Sequence, residues 1–147
     1  MKNIKNIFRC IEAEITKSNW YNDDWEIYNR GDYLQLYKTN WCNENQGGVH
    51  FETYIESAQI KDKTIPILMH AEEDCPHQQD FIQSFLDAEG ERIRGWRGYQ
   101  TVGSGYSICK RKIPLNAKNI EQRIVEELNR LRSLEATVDE VLSKLNG

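Results

Sequence analysis

Four short segments between residues 25 and 70 either alternate apolar with polar side chains or run almost wholly apolar. The segments are 25–29, 33–39, VHFETYIES from Val49 and TIPILMH from Thr64. Alternation with a period of two predicts strands, and short turns between successive strands favour antiparallel pairing. The feature that most limits the fold is therefore a mainly antiparallel sheet.

Segments with helical spacing surround these strands. Apolar residues recur at three- and four-residue intervals over 2–18, and further helices are predicted over 76–90 and 119–145. Two more strands are predicted at 93–100 and 106–113. The prediction is an α+β fold in the order α-β-β-β-β-α-β-β-α. It has about six strands, helices at both termini and one helix inserted after the fourth strand.

The size and composition favour one globular domain covering residues 1–147. Charged residues make up 29% and apolar residues 39% of the chain, a balance typical of folded domains outside membranes. No apolar run approaches the ~18–20 residues that a membrane span needs. Arg9 and Glu12 interrupt the apolar core that a signal peptide would require. We therefore expect a cytoplasmic protein without membrane contact, whose four scattered cysteines are free thiols.

The predicted C-terminal helix is long for a domain of this size. Roughly 27 residues at 1.5 Å per residue give about 40 Å, against a radius of gyration near 15 Å. Its distal part, about 133–145, is therefore predicted to project and to form a homodimer through its leucines. The alternative is a helix that bends or breaks near Ser133 and stays within one monomer.

The stretch MHAEEDCPHQQD, residues 69–80, contains side chains of the types that bind zinc. The candidate ligands are His70, Glu72, Cys75 and His77. Their spacing matches no zinc template, and the H-x-E of zinc deaminases is present without the P-C-x-x-C that follows it. The preferred interpretation is a helix start, with Asp74 or Cys75 as N-cap and Pro76 in the first turn. On that interpretation the chain has no metal and no cofactor.

The strand that begins at Val49 contains a second candidate set. Alternation places four side chains on one face, about 7 Å apart; they are His50, Glu52, Tyr54 and Glu56. Together they could perform general acid-base catalysis, whereas the alternative is an ordinary solvent-facing side of a sheet. The motifs of esterases, P-loop NTPases and common nucleases are absent. Enzyme activity is therefore uncertain, and the sequence favours a protein without it.

Aromatic residues are concentrated near the N-terminal strands, where seven of fifteen lie between Trp20 and Trp41. Such a group can form a stacking surface for bases or sugars, or an ordinary core. Tyr33 and Tyr37 share the strand face opposite Leu34 and Leu36. Because leucines favour the core, both tyrosines are predicted to be partly exposed.

Charge is segregated in the second half of the chain. Residues 72–91 contain seven acids and no base, and residues 92–118 contain seven bases and no acid. Aromatic residues lie among the bases, so the predicted hairpin 92–112 could contact a protein partner or nucleic acid. The predicted contact residues are Arg94, Trp96, Arg97, Lys110 and Arg111. The alternative is that the two blocks neutralise each other within the fold.

Two functions follow from these patterns. The first is a non-catalytic cytosolic interaction protein, for instance an inhibitor or immunity-type protein that contacts a protein partner through the charge-segregated surface. The second is a nucleic-acid-acting or small-molecule-acting enzyme that uses the His50/Glu52 strand face or the basic hairpin.

Overall fold

The structure is a computed structural model and describes residues 3–41, 48–73, 75, 77–103 and 105–146. Its elements are α1 (Ile4–Thr16), β1 (Trp25–Asn29), β2 (Tyr33–Lys38), β3 (Val49–Tyr54), α2 (Ser57–Asp62), β4 (Thr64–Ala71), α3 (Gln78–Gly95), β5 (Gln100–Thr101), β6 (Ser107–Pro114), α4 (Ile120–Arg132) and α5 (Glu135–Asn146). None of the described helices is both long and apolar enough to cross a membrane.

The strands form one six-stranded sheet in the order β1-β2-β3-β4-β6-β5, with every neighbouring pair antiparallel. The predicted α+β architecture is therefore confirmed, with α1 before the sheet, α3 after β4 and helices at the C-terminal end. In this order β3 and β4 are the two central strands, so their side chains have sheet neighbours on both sides.

Polar contacts from alternate strand positions place three helices on the same face of the sheet. Asn29 of β1 donates a hydrogen bond to a side chain of α1. Lys38 of β2 forms an ion pair with Glu135 of α5, and Arg111 of β6 forms one with Glu127 of α4. The apolar core lies between this face and the helices. Its largest side chains include Phe8, Ile11, Leu34, Leu36, Trp41, Phe51, Ile67, Phe81 and Phe85.

The prediction of a strand at residues 93–100 is mostly wrong. α3 continues through Gly95, and only the two residues Gln100–Thr101 form β5. Ile93 is fully buried on the helix. Its burial, together with the hydrogen bonds of the continuing helix, outweighs the strand pattern that placed residues 93–95 in a strand.

The predicted start of α3 is also wrong. Its N-cap is His77, in the left-handed conformation at φ 57° and without a side-chain cap hydrogen bond. Cys75 precedes that position, and Asp74 and Pro76 lie outside the described residues. Of the described residues, Cys75 is therefore not the N-cap as predicted, and His77 takes that position.

The single C-terminal helix predicted over 119–145 is two helices, as in the alternative with a break near Ser133. The Ser133 hydroxyl donates a hydrogen bond to the carbonyl of Arg130 and accepts one from Arg92. α5 then packs against α3, and Leu134, Val138 and Leu142 are buried. Residues 133–145 thus lie on the domain rather than projecting from it, and their apolar side chains belong to the core of one chain.

Candidate metal centre

The register of β3 against β4 brings together residues from the two predicted candidate sets, one on the strand that begins at Val49 and one in residues 69–80. His50 of β3 lies directly opposite His70 of β4. Glu52 lies two residues further along β3, and Glu72 two residues beyond His70. Because side chains alternate along a strand, all four point from the same face of the sheet, opposite the helices.

The four side chains converge on one point. Nε2 of His50 and Nδ1 of His70 each lie 2.8 Å from Oε1 of Glu52. Oε1 of Glu72 lies 3.6 Å from Nε2 of His50 and 3.4 Å from Nδ1 of His70. One nitrogen or oxygen atom from each residue falls within 4.8 Å of the others.

These separations resemble those of a coordination sphere. In a tetrahedral site with metal bonds of about 2.0–2.1 Å, ligand atoms lie about 3.3 Å apart. Only the His50 contact to Glu52 has hydrogen-bond geometry. Nδ1 of His70, although buried and equally close, has no hydrogen-bond partner. A buried nitrogen without a hydrogen bond calls for an explanation, and a metal ion at the shared point would provide one.

Backbone hydrogen bonds hold the end of β4 in place. Glu72 N–H donates to the carbonyl of Gly48, and Ala71 N–H donates to the carbonyl of Tyr106. The register between β4 and β6 shifts between Met69 and His70. Such bulges redirect side chains near functional sites, and this one lies directly before His70.

Burial of the cluster is graded from the sheet outwards. The His50 side chain is fully buried, and those of Glu52 and His70 are nearly so, whereas 31% of the Glu72 side chain is exposed. The sequence favours a solvent-facing position for His50 and Glu52, but the structure buries both. The site therefore opens to solvent on the Glu72 side.

Electrostatics keep the central carboxylate ionised. Burial acts to raise the pKa of Glu52, but the short contacts and the electrostatic interactions with His50 and His70 lower the pKa to about 2. Glu52 therefore carries a buried negative charge at neutral pH, which favours a cation at this position.

Tyr33 and Gln35 of β2 border the cluster. Gln35 donates a hydrogen bond to the Tyr33 hydroxyl at 2.7 Å, and its Nε2 lies 3.4 Å from Nε2 of His50. Burial raises the pKa of Tyr33; the hydrogen bond from Gln35 opposes this, and the nearby carboxylates of Glu52 and Glu72 add to it. Tyr33 is thus a protonated hydroxyl beside the site.

Two further tyrosines line the open face. Tyr54 stacks on Tyr33 with ring centroids 5.9 Å apart, and Tyr106 meets His70 edge to face at 5.0 Å. Tyr106 is half exposed, so it borders the opening. Tyr33 is partly exposed, as predicted. The same prediction for Tyr37 is wrong, because Tyr37 is buried.

The remaining candidates from both sets lie outside the cluster. Among the described residues, the group that could hold a metal contains neither Cys75 nor His77. Glu56 lies beyond the end of β3, where it is the N-cap of α2 and pairs with Arg30. Tyr54 contributes an aromatic wall, and its phenol is not one of the converging ligand atoms.

The predicted basic hairpin is divided between several environments. Arg94 and Arg97 are exposed, whereas Trp96 and Lys110 are half buried. The guanidinium groups of Arg92 and Arg130 lie 5.5 and 5.8 Å from the Trp96 ring. Arg111 pairs with the buried Glu127 of α4, which lies outside the acidic block 72–91. The Glu89–Arg92 ion pair does connect the acidic block 72–91 with the basic block 92–118. The ion pair of Arg111 does not, so the two blocks neutralise each other only in part.

The sequence patterns alone do not connect the two HxE segments, and neither predicted set contains Tyr33, Gln35 or Tyr106. A signal for the first point was present: two H-x-E triplets begin at residues 50 and 70, on consecutive predicted strands. Antiparallel pairing in the correct register places both triplets on one face, but the register itself depends on side-chain packing across the sheet.

Comparison with known proteins found no matching family model, curated protein or solved structure.

Proposed function

We propose that the protein is a metal-dependent enzyme whose centre is formed by His50, Glu52, His70 and Glu72. The observation that carries the proposal is the convergence of two imidazole nitrogens and two carboxylate oxygens from adjacent central strands, at separations typical of ligands around one ion. Nitrogen and oxygen donors of this kind suit Zn²⁺, Fe²⁺ and Mn²⁺.

The graded burial supports a catalytic centre over a structural one. Structural zinc sites are closed and usually rich in cysteine, whereas catalytic sites use about three protein ligands and leave a position for water or substrate. Here three ligands are buried, and the fourth, Glu72, lies at the solvent edge. A divalent ion bound there would supply Lewis acidity and lower the pKa of a bound water.

The surrounding side chains have defined roles in this proposal. Glu52 fixes both imidazoles and provides the buried negative charge. The protonated Tyr33 hydroxyl can donate a hydrogen bond to a bound group, and Tyr106 forms one wall of the opening. Glu72, which is the most exposed ligand, is the side chain that can move to admit a substrate.

Metal content is the first test. Protein loaded with Zn²⁺ and freed of excess metal should hold about one ion per chain, measured by elemental mass spectrometry. His70→Ala should lose it, while His77→Ala should retain it, because His77 lies in the same segment but outside the cluster. Equal retention by both variants, or none in the parent protein, would contradict the proposal.

Cobalt spectroscopy then separates a catalytic site from a closed one. Co²⁺ should give visible absorption bands that depend on His70, and adding azide or acetohydroxamate should change them by occupying an open position. A Co²⁺ spectrum unaffected by either small ligand would indicate a structural metal site.

The second candidate function is the interaction protein, which the exposure of Arg94 and Arg97 favours. Both flank the half-buried Trp96, and the three side chains form a surface suited to an acidic protein partner or to nucleic acid. Arg111 and Lys110 contribute less in this proposal because one is paired and both are half buried.

The double variant Arg94→Glu/Arg97→Glu tests this surface. It should abolish capture of a stoichiometric protein partner, or of a short oligonucleotide at low salt, whereas Lys144→Glu on α5 should not. Binding that survives the double variant would place the contact elsewhere.

A further inference from the structure

An apolar cavity of about 610 Å³ lies at the opposite end of β4 from the metal centre. Its walls come from α1, α2 and the connection between β6 and α4. The apolar lining residues are Ile7, Ile60, Leu115, Ala117 and Ile120. The volume lies within the range of small-molecule sites, about 300–1,000 Å³.

One wall of this cavity is an apolar side chain left in water. Ile60 of α2 is 41% exposed. Among the described residues, it is the only large aliphatic side chain exposed to this extent. The helix that carries it buries none of its residues. A ligand that covers Ile60 would remove this apolar surface from water, which is favourable.

The charged residues that line the cavity are both basic. Lys63 and Lys118 line it, and no aspartate or glutamate does. Both lysines are exposed, and neither has an ion-pair partner among the described residues. An anionic group at the rim would meet two uncompensated cations.

We propose that this cavity binds an anionic amphiphile, such as a medium-chain carboxylate, with its chain against Ile60 and its carboxylate between Lys63 and Lys118. β4 has eight residues, so at about 3.3 Å per residue the cavity lies roughly 23 Å from the metal centre. It is therefore a second site, independent of the proposed metal chemistry.

Calorimetric titration of the full chain with decanoate, decanol and decyltrimethylammonium tests the charge preference. Decanoate should bind, and the double variant Lys63→Glu/Lys118→Glu should weaken it about tenfold, in line with two modest exposed ion pairs. Lys61→Glu is the matched control, because this exposed lysine of α2 does not line the cavity. Ile60→Gln should also weaken binding, by about fivefold, through lost apolar contact.

Three results would overturn the proposal. They are binding of the cation as tightly as decanoate, binding of decanoate by the double variant as tightly as by the parent, and no binding of decanoate at all. Vesicles with and without phosphatidylglycerol distinguish the source of the carboxylate or phosphate group. Binding to anionic vesicles without binding of monomeric decanoate would assign the lysines to a membrane surface and reject the cavity site.

Discussion

At the residue scale, the candidate centre depends most on Oε1 of Glu52, which contacts both imidazoles at 2.8 Å. Glu52→Gln preserves the shape of the side chain but removes its negative charge. We expect metal affinity to fall at least about 100-fold, more than the 10- to 100-fold typical of residues that only support a ligand. Equilibrium dialysis with Zn²⁺ measures this.

Glu56→Gln is the control for that variant, since Glu56 was predicted on the same strand face but pairs with Arg30 outside the cluster. Its metal affinity should equal that of the parent chain. Equal losses of metal affinity in both variants would show that the overall negative charge of the protein, and not the geometry at Glu52, holds the ion.

The cysteines give a second prediction at this scale. Burial raises the pKa of Cys109 from 9.0 to about 12, and only the thiolate reacts quickly with alkylating reagents. At pH 9 the native protein should therefore be labelled by iodoacetamide at the exposed Cys10 and not at Cys109, as read by peptide mass spectrometry.

The raised pKa of Cys109 also determines how stability changes with pH. The fold favours the protonated thiol, so the contribution of Cys109 to stability is complete below pH 9 and is lost as the pH rises from 9.0 towards about 12. Labelling of Cys109 in the folded protein at a rate equal to that of Cys10 would contradict the burial on which both expectations depend.

At the scale of elements, Glu127 connects α4 to the sheet. Its carboxylate accepts hydrogen bonds from Tyr99 at 2.9 Å and from Arg111 at 2.7 Å. Glu127→Ala would leave the Arg111 charge partly buried without its partner. We expect the free energy of unfolding to fall by about 3 kcal/mol, measured by urea denaturation.

Glu126→Ala is the matched control because Glu126 is the exposed neighbour on the same helix. Its effect should stay within about 0.5 kcal/mol. A comparable loss in both variants would mean that the loss of a negative charge from α4, and not the contacts of Glu127, sets the cost.

An element could be predicted from the sequence when the pattern that specifies it lies within the element itself. The alternation in VHFETYIES and the apolar run in TIPILMH depend on neighbours along the chain, so β3 and β4 were predicted close to their observed bounds. The break at Ser133 was only an alternative, because the helical pattern continues through it and the break is held by a contact from Arg92 on α3. The joining of the HxE triplets similarly required the register of two strands, which local patterns leave open.

At the scale of the whole molecule, the association state depends on where the C-terminal leucines lie. Leu131, Leu134 and Leu142 are buried within the chain, so they offer no apolar stripe to a second copy. We expect a monomer at high micromolar concentration by light scattering. A dimer that Leu142→Ala dissociates without unfolding the chain would instead support association through α5.

The position of the metal centre on the β3–β4 pair has a consequence for the order of folding. The pair is connected at the end where Thr53 meets Ile67, and His50 meets His70 near its other end. Closing the shorter loop costs less chain entropy, so pairing should begin at the connection and reach the histidines late. An ion held by them would then bind after the rate-limiting step. In stopped-flow experiments, metal should slow unfolding while leaving the refolding rate nearly unchanged.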